Sequence, residues 1–299
     1  MALQAKHIKQ KISAIGNIKK ITKTMEMVAA SKMRKAVDSS LSSRAYALSA
    51  LEILVHLSRQ KNVEHPLISP RHEGKTLVVI VASNKGLAGA YNVNISRRVH
   101  AFVANKKRED IDAICIGKQA EKIARRNGIS VVASFTEFKD FADMDDVATV
   151  VTVIHDLFEK DETYAKVHIA YTQFIKALTY GPKLKPLLPI QAESLYMMIT
   201  DEDTPEAMSD GNDRALHLFE PSEEEVLDTV IPQLLRAVIY QVMLDAYASE
   251  HSSRMVAMQN ATESAGEMQD DLTISYNKAR QAAITQEIAE ISAGANAQS

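Results

Sequence analysis

The stretch IKQKISAIGNIKKITKTMEMVAASKM, residues 8–33, decides how the N-terminal part of the chain folds. Ile8, Ile12, Ile15, Ile18, Met25, Val28 and Met33 recur mostly at steps of three and four, the spacing that lines one face of a helix. Lys9, Lys11, Lys19, Lys20, Lys23 and Lys35 fall mostly between them. The stripe continues through Leu41, Leu48, Leu51 and Val55, and Pro66 and Pro70 end it, so residues 1–61 read as one helix. At 1.5 Å per residue such a helix spans roughly 80–90 Å, more than the diameter of a small domain. It must therefore project or pair with a second helix.

Residues 226–292 supply the second helix. Leu227, Ile231, Leu234, Val238 and Val242 form its apolar stripe. The stripe then thins into Ala246, Ser249, Ser253, Val256 and Gln259, and resumes at Leu272, Ile274, Ile284, Ile288 and Ile291. Two such stripes at opposite ends of one chain predict an antiparallel coiled coil of the termini, with the small residues allowing close approach. Helix breakers are placed accordingly. No Pro occurs before Pro66 or after Pro232, and no Gly lies between Gly16 and Gly74.

The middle, residues 75–200, alternates apolar runs with amphipathic stretches. TLVVIVA (76–82), DAICIG (112–117) and SVVAS (130–134) read as strands, each followed by a helical stretch. KVHIAYTQF (166–174) reads as a half-buried strand and KPLLPI as another. This alternation predicts an α/β layer with a largely parallel sheet. The fold class is therefore α/β: a long antiparallel coiled coil of the N- and C-terminal helices plus a central Rossmann-like α/β domain. Residues 201–225, rich in acid with Pro, Ser and Gly, read as a solvated loop.

Composition narrows the function. The chain has 299 residues, 46% hydrophobic and 24% charged, which is ordinary for a globular protein. Its single cysteine, Cys115, excludes an intramolecular disulfide framework and a Cys-rich metal site. No uninterrupted apolar run approaches the length of a membrane span, and the N-terminus lacks a signal core, so a cytoplasmic setting is expected. The net charge of −3 conceals polarity. Residues 1–35 carry eight lysines and Arg34 against Glu26, while residues 201–228 carry eleven acids against Arg214. A basic N-terminus suits nucleic acid, an anionic membrane or an acidic protein surface; an aromatic content of 5% offers little for stacking on bases.

A search for chemistry returns little. SNKGLAGAY (83–91) sits between a strand and a helix, where phosphate loops occur, but it has neither the P-loop nor the dinucleotide glycine spacing. It reads as a tight turn, as does Gly117 after the second strand. The nine histidines form no metal-binding spacing, no Ser lies in a nucleophile elbow, and Cys115 falls in a buried strand. No catalytic constellation, cofactor site or metal site is expected.

Two motifs carry a resemblance. ITKTMEMVAASKMRKA (21–36) and ASEHSSRMVAMQNATESAGEMQDDLTISYNKARQAAITQEIAEI (248–291) resemble the N- and C-terminal signatures of the gamma subunit of F-type ATP synthases. SNKGLAGAYN is similar to that family's central turn, with Asn84, Ala88 and Ala90 in place of the usual Asp, Cys and Gly. The resemblance covers the whole chain in order. It implies a non-catalytic central stalk that couples ion flow to ATP synthesis or hydrolysis. Its implied partners are a hexamer of alpha and beta subunits, an epsilon subunit and a ring of c subunits, with no nucleic acid. It also implies a place peripheral to the cytoplasmic face of the inner membrane. The basic residues Lys20, Lys23, Lys32, Arg34 and Lys35 then suit an acidic loop of beta. By resemblance Met25 lies opposite that acidic lever. Arg254, Gln281 and Thr285 match positions where the shaft meets beta, with Arg280 beside them.

Overall fold

A computed structural model describes residues 2–58, 65–138, 143–159, 163–200 and 223–297. In order the elements are α1 (Ala2–Ser58), β1 (Lys75–Val81), α2 (Tyr91–Val103), β2 (Ile111–Ile116), α3 (Lys118–Arg126), β3 (Ser130–Phe135), α4 (Met144–Glu159), β4 (Tyr164–Lys176), β5 (Thr179–Leu188), α5 (Ala192–Thr200) and α6 (Glu223–Ala297). The chain divides into two compact units: Met1–Ala30 with Arg254–Ser299, and Ser31–Ser253.

The larger unit holds a five-stranded sheet in the order β3-β2-β1-β4-β5. The first four strands are parallel and β5 is antiparallel to β4. β1 and β2 read as continuous apolar runs because helices cover both faces. On one face α2 and α3 bury Ile95, Val99, Val103, Ala120, Ile123 and Ala124 against Val78, Ile80, Ala113 and Cys115. On the other, Val150, Ile154 and Phe158 of α4 join Leu234, Val238 and Val242 of α6 and Leu51 of α1. One window of α6 is apolar enough by length and hydropathy to cross a membrane, but 56% of it is buried inside the protein, as befits a core helix.

The expected alternation is present, with three differences. The strand expected at 166–174 is longer, and it is buried on both faces over most of its length rather than half-buried. KPLLPI belongs partly to β5, which turns back on β4 as a hairpin. Residues 192–200 form α5, a short helix with no strong periodicity to announce it. At the far end α6 begins at Glu223 and carries Pro232 inside it; residues 201–222 of the expected acidic loop lie outside the described residues.

Both units contain paired stretches of α1 and α6, running antiparallel. In the smaller unit the Thr262 hydroxyl donates to the Thr22 hydroxyl at 2.8 Å. There Gly16 faces Gln269, and Gly266 faces Lys19. In the larger unit Ser40 donates to Asp245 at 3.3 Å, and Ser43 donates to Gln241 at 2.8 Å. The contact seam follows the stripe read in sequence only in part: Ile8, Ile12, Ile15, Met25 and Met33 of α1 and Leu272 of α6 are shielded, but small residues join them and other large ones turn outward. On α1 the buried positions include Thr22, Ala29, Met33, Ala36, Ser40 and Ala47, while Ile18, Val28 and Leu41 stand about half exposed. On α6, Met258, Thr262, Ala265, Gln269, Leu272, Tyr276, Ala279 and Ala283 are shielded and alternate steps of four and three, the heptad rule. Ile274, Ile284, Ile288 and Ile291 are exposed. Small residues share the seam with larger ones, and Ile18, Val28, Leu41, Ile284 and Ile288 lie outside it.

Candidate functional site

In an open α/β sheet, ligands bind outside the carboxyl ends of the strands where the strand order reverses. Here that point lies between β1 and β4. The turn after β1 is closed on itself. The Ser83 N–H donates to Asn92 Oδ1 at 3.2 Å, and the Ser83 hydroxyl donates to the Lys85 carbonyl at 2.6 Å. Asn84 Oδ1 accepts the Lys118 N–H at 3.0 Å, capping the start of α3. Leu87 (φ 61) and Gly89 (φ 52) take left-handed backbone to make the turn. Gly117 has φ 94, and a Cβ there would lie 2.1 Å from the Ala82 carbonyl oxygen, so only glycine fits. Both glycine-bearing segments are thus structural turns, and the α3 amide that would meet an anion is already bonded.

The crevice itself is filled by α6. The Ser249 hydroxyl donates to the Thr172 carbonyl at 3.2 Å and Ser253 donates to the Ala88 carbonyl at 2.7 Å. Between them Ser252 donates to the Ala177 carbonyl. All three serines are buried. In the sequence Ser249 and Ser253 read only as small residues. The one signal for this role is the grouping of polar hydroxyls within one helical turn of SEHSSR.

The titratable groups in the larger unit point to structure. Burial pushes the Cys115 thiol up to about 12, so it is an inert core group. His65 Nδ1 accepts the Leu67 N–H at 3.1 Å, which leaves Nε2 as the donor to Asp228 at 3.2 Å. Burial lowers the His65 pKa although Asp228 pulls it upward. His168 lies 5.0 Å from the Phe102 ring, and its buried Nδ1 has no hydrogen-bond partner. Burial, followed by Lys106 and Lys166, lowers its pKa to about 4. Among the described residues no three His, Cys, Asp or Glu side chains are grouped to hold a metal ion.

The anticipated contact residues divide between the units. In the smaller unit Lys20 and Lys23 are exposed, with Lys23 Nζ 2.8 Å from Glu26 one turn ahead, and Met25 is partly shielded. Arg280, Gln281 and Thr285 are exposed there too, and the Thr285 hydroxyl donates to the Gln281 carbonyl at 3.0 Å. Gln281 and Thr285, four apart, share one face. Arg254 differs in being only 9% exposed. In the larger unit Arg34 and Lys35 are exposed and Lys32 is partly shielded. The fold therefore gathers Lys20 with Lys23, and Gln281 with Thr285, but does not bring all ten into one patch.

These observations define a class: paired terminal helices, joined in sequence to a doubly wound sheet whose ligand crevice is occupied by the chain itself. The family model described as ATP synthase matches residues 4–298. The ATP synthase gamma chain of Symbiobacterium thermophilum is 37% identical over 99% of both chains. That of Heliobacterium modesticaldum is 35% identical over 97% of both. The chain belongs to the ATP synthase gamma chain family. Among solved structures, a chain of the Euglena gracilis mitochondrial ATP synthase (OSCP/F1/c-ring, rotational state 3) matches with a TM-score of 0.68 at 17% identity, covering 100% of this chain and 95% of its own. One from the central stalk and c-ring of the Tetrahymena thermophila enzyme matches with a TM-score of 0.58 at 24% identity, covering 81% and 99%. These likenesses establish the shared fold.

Proposed function

We propose that this chain is the central-stalk rotor of an F-type ATP synthase, a non-catalytic subunit that couples ion flow to ATP synthesis or hydrolysis. Its partners are the hexamer of alpha and beta subunits, the epsilon subunit and the c-subunit ring. It works peripherally, at the cytoplasmic face of the inner membrane. The paired terminal helices are the shaft and the α/β domain is the foot. The observation that carries the reading is the antiparallel pairing of α1 and α6, with unlike residues turned outward: lysines with Ile18 and Ile21 on α1, and isoleucines with Arg280, Gln281 and Thr285 on α6.

The physical logic is symmetry breaking. Three identical catalytic sites differ only if something among them is asymmetric. A shaft with unlike faces biases each beta subunit by contacting its open and closed states differently. Driving one site from 1:99 to 99:1 takes about 5.5 kcal/mol of such difference. Lys20, Lys23, Lys32, Arg34 and Lys35 serve as cationic contacts to an acidic loop of beta, with Met25 opposite it. Arg254, Arg280, Gln281 and Thr285 serve as polar contacts that form at some rotor angles and not at others. An exposed lysine pair contributes under about 1 kcal/mol alone, so the bias must come from several contacts acting together. Reconstitution tests the reading. Alpha and beta subunits should form a stoichiometric complex with the chain and hydrolyse ATP faster with it. Equal hydrolysis without it would refute the assignment.

A further inference from the structure

We propose that Ser249, Ser252 and Ser253 form a three-point clamp through which torque passes between the α/β domain and α6; this rests on the rotor reading above. Close-packed apolar side chains such as Leu234, Val238 and Val242 already resist turning of α6 about its own axis, and directional bonds add to that resistance. Hydrogen bonds are directional and weaken steeply when turned off line. At 3.6 residues per turn, adjacent positions such as 252 and 253 point about 100° apart. They reach two different loops: Ser253 the turn after β1, at Ala88, and Ser252 the β4–β5 turn, at Ala177. The two carbonyls therefore flank the helix, and rotation in either sense pulls one serine off its acceptor. Ser249, one turn earlier, holds the Thr172 carbonyl of β4 itself.

Three features suit these groups to bear load. Every acceptor is a backbone carbonyl, at or beside the sheet's carboxyl edge, and cannot swivel as a side chain would. Water is kept out, since Ser249 and Ser252 are 0% exposed and Ser253 is 3% exposed. Ser253 is also the last residue of the larger unit before α6 continues at Arg254. All three serines and their acceptors lie in the larger unit, so the clamp fixes α6 to the sheet within that unit.

The test uses the assembled membrane complex carrying S249A, S252A, S253A and the triple variant. Three hydrogen bonds of ordinary strength bias the docked geometry by roughly a hundredfold. The triple variant should therefore lose about tenfold or more in gradient-driven ATP synthesis, while unloaded ATP hydrolysis stays within about twofold. S252A and S253A should each show a smaller loss in the same direction. Assembly stoichiometry and thermal melting are followed in parallel; if the triple variant fails to assemble, the S252A/S253A pair decides. Unchanged synthesis, or equal loss of synthesis and unloaded hydrolysis, would overturn the clamp. Failure of the unmodified chain to support synthesis at all would instead overturn the rotor reading.

Discussion

Replacing Gly16 and Gly266 by alanine should stabilise the helix pair. A glycine between paired helices suggests that the backbones pass too close for a side chain, and here the geometry argues otherwise. A Cβ at Gly16 would lie 3.4 Å from Gln269 Nε2, an ordinary contact. At Gly266 it would lie 3.0 Å from Lys19 Nζ, which is tight but is the free end of a four-carbon stem. Neither glycine has the positive φ that would strain alanine. Alanine in place of glycine inside a helix is worth about 1 kcal/mol. Gly16→Ala should gain about that, and Gly266→Ala about half to all of it, since Lys19 must move. The pair should add about 1.5–2 kcal/mol, with imperfect additivity because the sites lie within a turn of each other. Followed by circular dichroism on heating, the double variant should melt about 3–8 °C higher. A lower melting temperature for either single variant would refute the reasoning and show that glycine is needed for close approach.

Other outcomes follow from the same geometry. His168 is held neutral, with its pKa lowered to about 4 from 6.5. The unfolded chain therefore binds that proton first, and stability should be complete above about pH 6.5 and fall as pH drops toward 4. Discounted for partial exposure, the loss is about 2 kcal/mol; the gap between urea midpoints at pH 7 and 4.5 should narrow for His168→Phe, His65 keeping its own share, and an unchanged gap would contradict this. Gly117→Ala should cost more than about 3 kcal/mol, because its Cβ would meet the Ala82 carbonyl at 2.1 Å; a soluble variant with wild-type melting would contradict it. Met25→Lys in the assembled complex should impair ATP-driven pumping more than ATPase activity, and equal loss of both would count against its placement beside an acidic lever.

The sequence made the large features legible and hid the fine ones for physical reasons. Periodicity over residues 8–55 and 227–291 is long enough to announce two helices, and the runs at 76–82 and 112–117 are apolar enough to announce buried parallel strands. Periodicity weighted by hydrophobicity picks out large side chains, however, and so selected Ile18, Leu41 and Ile288. The seam also uses Ala29, Ala36 and Ala265, whose value lies in being small. β5 was only partly visible because Gly181, Pro182 and Pro186 interrupt its pattern, which an edge strand tolerates. The hydroxyls of Ser249, Ser252 and Ser253 group within one turn in the sequence, but the carbonyls they reach are not legible there, because they lie 75 to 165 positions away.

As a central-stalk rotor, this chain turns inside its partners. Cys115 is buried with its thiol pushed up to about 12, so a cysteine introduced at the exposed Lys107 would be the reactive thiol for attaching a bead. With the alpha and beta subunits fixed to a surface and ATP supplied, the bead should rotate in one direction in discrete steps. A bead that stays at a fixed angle while the same complexes hydrolyse ATP would rule out a rotor.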